Sequence, residues 1–284
     1  MSAASLDRDA WLTRIGYKGS SAPTLATLRG LVAAHSAAIA YESIDVLLNR
    51  PPKLDLDSLQ QKMIVNRRGG YCFEQNYLFR AGLRSLGFDV ISLQARVVRG
   101  LAIDAPRPMF HMVLQVNLPE GRYLADVGFG NLAPTAPLAL APDIEQDTPH
   151  ELMRFIRMGD ELTLQSKLGE RWEHIYRVVL LPRLNAEYEI CNWYAASHPE
   201  SLHRRNLIAA RPGPGRTRVT LFNARLNVRL ANGDIERRTL ANPADYSDAL
   251  HHRFGLDLSD ADIGLALETV ARNGEKGAPH PFFA

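Results

Sequence analysis

The chain has 284 residues, of which 46% are hydrophobic and 23% charged, and these proportions are typical of a globular protein with a substantial core. The formal net charge is only +2 at pH 7, from 33 Lys and Arg against 31 Asp and Glu. This balance excludes the global basic field that would predict binding to nucleic acid or to an anionic membrane, so any anion site must be local.

The N-terminal residues 1–11 carry Asp and Arg where a signal peptide needs an unbroken apolar stretch. The apolar stretch 24–41 is interrupted by Arg29 and His35, so no segment approaches the roughly 18 to 20 apolar residues of a membrane span. The chain has two cysteines, and such sparse usage suits free thiols in a reducing cytoplasm. They are too few for a structural zinc site. We therefore expect a soluble cytoplasmic protein without a metal.

The first third of the chain has a helical pattern. Leu25, Leu28 and Leu31 recur at helix spacing, and Asp57 with Gln60 resembles a capping box at the start of a second helix. A long helix is predicted to begin near Cys72.

Its end is marked by Gly87, because glycine tolerates the left-handed conformation found just beyond many helices. Residues 1–88 are therefore predicted to form a helical bundle that carries Cys72.

After Gly87 the pattern changes to alternation of apolar and polar residues, which is typical of strands. Strands are predicted at residues 91–97, 110–118, 152–158, 161–167 and 172–180. Together they indicate an antiparallel sheet or barrel over residues 89–191.

Residues 192–284 mix both types. A hairpin over 226–240 would turn at Asn232 and Gly233, and a helix would run from Ser259 to Asn273. The stretch 203–219 is rich in Gly, Pro and Arg and is a candidate anion-binding surface. The fold class is therefore α+β, with three domains at 1–88, 89–191 and 192–284.

The most informative stretch is RGGYCFEQN at residues 68–76. Gly69 and Gly70 permit a tight entry, and Cys72 then lies in the first turn of a helix. Unpaired backbone N–H groups at that position favour the thiolate, lower the cysteine pKa and could receive an oxyanion. Cys191 has no comparable setting, and we interpret it as ordinary packing.

His111 and Asp126 are predicted to lie on one face of a strand pair. A four-residue loop would pair Asn117 with Arg122 and Val113 with Asp126, which makes Asp126 and His111 diagonal neighbours. An aspartate that holds one imidazole nitrogen while the other faces a thiol follows the logic of triad enzymes. The residues alone leave three possibilities open: acyl transfer, a cysteine hydrolase or transglutaminase-like enzyme, and a non-catalytic binding module.

Three blocks of the sequence resemble the arylamine N-acetyltransferase family: RGGYCFEQN at 68–76, FHMVLQV at 110–116 and YLADVGFGN at 123–131. The resemblance continues to residues 95–97 and 192–201 in the family's order. It implies a helical bundle, a central antiparallel β-barrel and a C-terminal α/β lid around a cysteine-protease-like Cys-His-Asp core.

The resemblance implies that Cys72 accepts the acetyl group, His111 acts as its base and Asp126 orients the histidine. It also implies acetyl-CoA as a co-substrate, no permanently bound cofactor, and ping-pong transfer to arylamines or hydrazines in xenobiotic metabolism, with O-acetylation of N-hydroxyarylamines as an extension. Candidate contacts for the CoA phosphates are Arg204, Arg205, Arg216 and Arg218.

By the same resemblance Val97, Phe129 and His203 would line the acceptor pocket, and Glu42 and Arg68 would form a buried ion pair that braces the loop before the cysteine. The chain departs from the family in two places. The family's Phe-Glu-Asn is Tyr-Glu-Ser at residues 41–43, and His203 stands where an aromatic residue is expected. Both departures concern the choice of acceptor.

Overall fold

The computed structural model describes residues 5–274, so the predicted outer domain limits at residues 1 and 284 lie outside the described residues. The helices are α1 (Arg8–Ile15), α2 (Leu25–Ala38), α3 (Ile44–Leu47), α4 (Leu56–Gln60), α5 (Cys72–Ser85), α6 (Asn185–Ser197), α7 (Leu202–Arg205), α8 (Pro243–Asp248) and α9 (Asp260–Asn273). π-Helical turns at Gln61–Val65 and Ala249–Arg253 extend α4 and α8.

Thirteen strands are described: β1 (Tyr41–Glu42), β2 (Asp89–Val97), β3 (Met109–Leu118), β4 (Gly121–Ala125), β5 (Leu138–Ala139), β6 (Glu145–Asp147), β7 (Leu152–Met158), β8 (Glu161–Leu168), β9 (Arg171–Val179), β10 (Ile208–Pro212), β11 (Arg218–Phe222), β12 (Arg225–Arg229) and β13 (Ile235–Thr239).

The N-terminal helices pack around α5, whose side chains are almost all buried. The helix ends as predicted, because Gly87 follows it with a φ of 85°. The predicted capping box at Asp57 is wrong. The helix begins two residues earlier, where the carboxylate of Asp55 accepts a hydrogen bond from the backbone N–H of Ser58.

An eight-stranded antiparallel sheet in the order β5-β4-β3-β2-β9-β8-β7-β6 forms a nearly closed barrel and contains all five predicted strands. The two edge strands of this sheet, β5 and β6, are joined by hydrogen bonds from one side chain. The Gln146 amide accepts from the backbone N–H of Ala139 at 2.7 Å and donates to the carbonyl of the same residue at 3.0 Å. This pairing satisfies backbone groups that an open edge would leave exposed.

The register of β3 and β4 agrees with the sequence. Asn117 pairs with Arg122 as predicted, although the loop is shorter because Leu118 also pairs with Gly121. Met112 of β3 packs into the core shared with the helices, whereas Val113 packs into the barrel core. His111, two residues before Val113, therefore lies on the barrel side of the strand.

A second sheet, in the order β1-β10-β11-β12-β13, was not predicted as a unit. Its edge strand β1 comes from the helical part of the chain, so it joins the N-terminal and C-terminal regions. The hairpin β12–β13 and helix α9 agree with the sequence, and Ser259 caps α9. Helix α6 runs across residue 191, so the proposed domain limit there stays a prediction.

In the part of the chain that is described, each helix is too short or too polar to span a lipid bilayer.

Candidate functional site

Cys72 is the first residue of α5. The loop before it contains Gly69 and Gly70, and neither position has room for a side chain. A Cβ on Gly69 would lie 2.2 Å from the carbonyl oxygen of Ala40, and one on Gly70 would lie 2.9 Å from the Cβ of Glu74. Neither glycine has a positive φ. The tight entry predicted from the sequence is therefore a close approach of the loop to its neighbours.

The structure brings His111 and Asp126 together. Nε2 of His111 lies 2.7 Å from Oδ2 of Asp126, and both side chains are buried. The sulfur of Cys72 contacts the carbonyl oxygen of Phe110 at 3.9 Å, next to His111 in the chain. Since Nε2 faces the carboxylate, Nδ1 is the ring nitrogen left for the thiol.

Asp126 is held by four groups. Besides His111, Oδ2 accepts from the hydroxyl of Tyr176 at 2.9 Å, while Oδ1 accepts from Asn76 Nδ2 at 3.0 Å and from the backbone N–H of Gly128 at 2.9 Å. Burial would raise the pKa of Asp126, but the neighbouring His111 and these hydrogen bonds outweigh it, so the pKa lies below its usual value. Asp126 is therefore an anion at neutral pH.

The environment of Cys72 differs from the sequence expectation. Burial raises the pKa of the Cys72 thiol well above its usual value, and the charge of Asp126 adds to the effect. Backbone N–H groups of Met112 and Phe73 lower it by less. The helix start alone therefore does not produce a thiolate. A thiolate at Cys72 therefore requires a base that accepts its proton.

Gly128 allows the barrel to approach α5. A Cβ at this position would lie 2.8 Å from the carbonyl oxygen of Cys72 and 2.6 Å from the amide nitrogen of Asn76. Asn76 lies one helical turn after Cys72 and binds both Asp126 and the carbonyl of Met112. Asn76 ends the block RGGYCFEQN, and no role was predicted for it from the sequence. Its i, i+4 spacing from Cys72 was the available signal.

A cavity of about 610 Å³ opens onto Cys72 and His111. Val97, Phe129 and His203, the residues predicted to line an acceptor pocket, all lie in its wall. Phe129 packs edge-on against His111, with 5.1 Å between ring centroids. The structure therefore brings every predicted acceptor residue to one cavity beside the cysteine.

Further aromatic residues line the same cavity, and of these only Tyr41 was connected with the acceptor from the sequence. Tyr41 and Tyr71 flank His203 on one side. On another side Phe110 stacks on Tyr194, with 5.0 Å between centroids and 18° between planes. These residues come from four separate segments, so only the tertiary fold brings them together.

The predicted ion pair of Glu42 and Arg68 is present and belongs to a larger cluster. Arg68 Nη2 lies 2.9 Å from Glu42 and 3.2 Å from Asp45, while Lys62 Nζ lies 2.9 Å from Asp45 and 2.7 Å from Glu74. Two buried carboxylates, Glu42 and Glu74, and the partly buried Asp45 thus face two cations. Burial raises the pKa of Glu74 to about 7, although Lys62 acts in the opposite direction.

The four candidate arginines are in different environments. Arg205 lines the cavity and pairs with Glu200. Arg204 lies outside the wall and donates to Asn49.

Arg218 and Arg216 correct the sequence prediction. Arg218 is only 2% exposed and is neutralised by Glu151, with its Nε 2.7 Å from Oε1, so a phosphate cannot reach it. Arg216 donates to the carbonyl of His150 and does not line the cavity. Arg107, from the loop after β2, does line it and was missed.

Both cysteines are free, and Cys191 packs between Gln94 and the carbonyl of Met109. Within residues 5–274, no group of three or more His, Cys, Asp or Glu side chains is arranged to hold a metal ion.

Comparisons with known proteins identify similar sequences and folds. A family model described as N-acetyltransferase matches residues 24–263. The arylamine N-acetyltransferase of Escherichia coli K12 is 37% identical over 92% of this chain and 92% of its own length. That of Mycolicibacterium smegmatis is 39% identical over 90% and 94%.

A Salmonella typhimurium relative, named arylamine N-acetyltransferase / N-hydroxyarylamine O-acetyltransferase, is 35% identical over 92% of this chain and 93% of its own. Among solved structures, arylamine N-acetyltransferase of Mycobacterium marinum superposes with a TM-score of 0.88 at 37% identity, covering 94% of this chain and 99% of the other. Its complex with CoA superposes equally well, with a TM-score of 0.88 at 36% identity over 94% and 99%.

Proposed function

The chain belongs to the arylamine N-acetyltransferase family, and we propose that it transfers an acetyl group from acetyl-CoA to the nitrogen of arylamines and hydrazines through an acetyl-Cys72 thioester. One observation carries the proposal for these residues: Cys72 and His111 face one cavity, and Asp126 holds His111 by Nε2 at 2.7 Å. In this proposal Cys72 is the nucleophile, His111 the base and Asp126 the orienting anion.

In the first half-reaction His111 Nδ1 takes the thiol proton, and the Cys72 sulfur attacks the carbonyl carbon of acetyl-CoA. The bond from that carbon to the CoA sulfur breaks, and His111 returns the proton to the leaving thiolate. One thioester replaces another, so the step has little energetic cost. In this proposal the backbone N–H groups of Phe73 and Met112, which lower the pKa of the Cys72 thiol, stabilise the oxyanion.

In the second half-reaction the amine nitrogen attacks the acetyl carbon while His111 accepts its proton. The bond from the acetyl carbon to the Cys72 sulfur breaks as the amide forms, the sulfur takes the proton back from His111, and ping-pong kinetics follow. Val97 and Phe129 would contact the acceptor ring, since both line the cavity beside His111.

The CoA complex of the Mycobacterium marinum relative supports acetyl-CoA as the donor. We assign the phosphate contacts to Arg205 and Arg107, which line the cavity, with Arg204 next to them. Arg205→Ala should raise KM for acetyl-CoA but leave KM unchanged for S-acetyl-N-acetylcysteamine, a donor that lacks the phosphates. The exposed Arg216, outside the cavity, provides a matched Arg→Ala control.

The name of the Salmonella typhimurium relative supports a second acceptor class, the hydroxyl oxygen of N-hydroxyarylamines. The same acetyl-Cys72 would serve both acceptors, because only the attacking atom changes. Acetyl-CoA turnover with an N-hydroxyarylamine, and its loss in Cys72→Ala, tests this extension.

We propose that the region from residue 192 onward acts as a lid that keeps water from the acetyl-enzyme. Asn192 accepts a hydrogen bond from the hydroxyl of Tyr71, which directly precedes Cys72, and donates to the carbonyl of Pro52 at 2.9 Å. These bonds join α6 to the helical region at the cavity. The two free cysteines suit the cytoplasm as the place of action.

The experiment that tests the proposal compares acetyl-CoA turnover with and without an arylamine. Acetyl transfer predicts fast turnover with the amine, parallel double-reciprocal lines and slow release of acetate without it. Cleavage of amide substrates without acetyl transfer would instead favour a cysteine hydrolase.

A further inference from the structure

The hydroxyl of Tyr41 is open to the cavity that contains Cys72 and has no hydrogen-bond partner within residues 5–274. The side chain is 8% exposed. Its ring packs against Gly130, where an added Cβ would lie 3.1 Å from the tyrosine Cγ, and lies 6.4 Å from His203 between ring centroids.

Three other tyrosines near the site have hydroxyl partners. Tyr71 donates to Asn192, Tyr176 donates to Asp126 at 2.9 Å, and Tyr188 donates to the carbonyl of Leu93 at 3.0 Å. These hydroxyls serve the fold. The Tyr41 hydroxyl makes no such bond and faces the cavity, so it is available to a molecule bound there.

Tyr41 can only act as a neutral hydrogen-bond donor or acceptor. Burial raises its pKa well above the usual value, and the nearby carboxyl groups of Glu74 and Glu42 add to this effect.

The neighbours of Tyr41 indicate which part of a ligand it meets. Gly130 follows Phe129, and both Phe129 and His203 line the cavity with Tyr41. We infer that Tyr41 determines acceptor specificity: its hydroxyl donates a hydrogen bond to a polar substituent on the ring of the arylamine. The enzyme then favours acceptors whose ring carries a hydrogen-bond-accepting group over those with an alkyl group of the same size. This inference rests on the proposed acetyl transfer.

The test is Tyr41→Phe, which removes one oxygen and keeps the ring. The acceptors are para-methoxyaniline and para-ethylaniline, together with the corresponding meta pair. Each acceptor is compared with itself in the two enzymes, so differences in amine basicity cancel. In at least one pair the wild type should favour the methoxy compound in kcat/KM, and the substitution should reduce that preference about 5- to 10-fold.

Two further readouts separate this role from a structural one. Tyr41→Phe should melt at the same temperature as the wild type or higher, since no protein hydrogen bond is lost, and should take an acetyl group from acetyl-CoA at the wild-type rate. Tyr71→Phe is the matched control. It removes a hydroxyl from the same cavity wall, but one bonded to Asn192, and the methoxy-to-ethyl ratio should not change.

Equal ratios in wild type and Tyr41→Phe for both pairs would overturn the inference. Slower acetylation of Cys72 in Tyr41→Phe would also overturn it, because the hydroxyl would then serve the acyl group. If wild-type protein takes no acetyl group from acetyl-CoA, the proposed function itself fails, which is a different result.

Discussion

The buried charge cluster beside α5 predicts an unusual dependence of stability on pH. Among residues 5–274, Glu42, Asp45 and Glu74 form ion pairs with Lys62 and Arg68, so these five groups carry one negative charge in excess when fully ionised. Although burial acts in the opposite direction, Lys62 and Arg68 hold the pKa of Asp45 below its usual value. Glu74 takes up the missing proton, with a pKa of about 7. Glu74→Gln removes this titration and keeps the shape of the side chain.

The magnitude follows from linkage between proton binding and folding. The folded pKa of about 7 lies above the reference value of 4.5, so the native state binds the proton more tightly than the unfolded chain. The stabilisation is complete below the unfolded pKa and is lost as pH rises through the folded pKa. At about 1.36 kcal/mol per pKa unit, Glu74 should stabilise the protein by about 2.5 kcal/mol more at roughly pH 5 than at roughly pH 8.

The assay is urea unfolding of wild type and Glu74→Gln between roughly pH 5 and pH 8. Other groups titrate in this window, above all His35, whose pKa burial lowers to about 4. Because these groups are present in both proteins, their contribution cancels when the free energy of unfolding of Glu74→Gln is subtracted from that of the wild type. A constant offset is expected as well, because Glu74 accepts from both Lys62 and the backbone N–H of Tyr71 and an amide offers only one accepting oxygen.

The exposed Glu189 lies outside the cluster, and Glu189→Gln should show no pH-dependent difference from wild type. A difference between Glu74→Gln and wild type that stays the same at every pH would refute the reasoning. It would mean that Glu74 is already ionised at pH 5 and that the cluster holds its excess charge.

Three further outcomes follow from the site. Asp126→Asn should leave a folded protein whose kcat/KM falls by about two to four orders of magnitude, because the amide favours the tautomer with the proton on Nδ1; near-normal kcat/KM would remove Asp126 from the triad. Arg68→Met should lower the free energy of unfolding by about 3 to 5 kcal/mol, since Glu42 loses its 2.9 Å partner in the interior; an unchanged midpoint in urea would contradict this. Asn192→Ala should speed acetate release from the acetyl-enzyme without an amine, and an unchanged rate would argue against the lid.

The long periodic elements of the fold were predictable from the sequence. The pattern changes after Gly87, and the register of Asn117 with Arg122 follows from counting residues around one short loop. Such local signals depend on spacing that the sequence shows directly. The strand Tyr41–Glu42 did not have this signal. Two residues carry no period, and their partner Ala209–Ala210 is far away in the chain.

Some residues of the candidate site were likewise predictable from the sequence, and others were not. Cys72, His111 and Asp126 stand in recognisable blocks, and the structure brings His111 and Asp126 into contact. Tyr176 carried no comparable signal, because it reaches Asp126 only through the pairing of β2 with β9. The pKa of Cys72 was expected to fall, but burial reverses the direction.

Arg218 was misassigned for a related reason. A basic stretch in the sequence does not reveal which arginine meets a buried carboxylate, and Glu151 lies 67 positions away in the chain. Burial therefore determines both the pKa of the Cys72 thiol and which arginines can contact a phosphate.

The most direct test of the account is mass spectrometry of the protein after brief exposure to acetyl-CoA without an acceptor. The intact protein should gain one acetyl group, and peptide mapping should place it on Cys72. Cys191→Ala should still be labelled, whereas Cys72→Ala should not, and an arylamine should discharge the label as its N-acetyl product. A label on Cys191, or one that persists in Cys72→Ala, would contradict the assignment of the nucleophile.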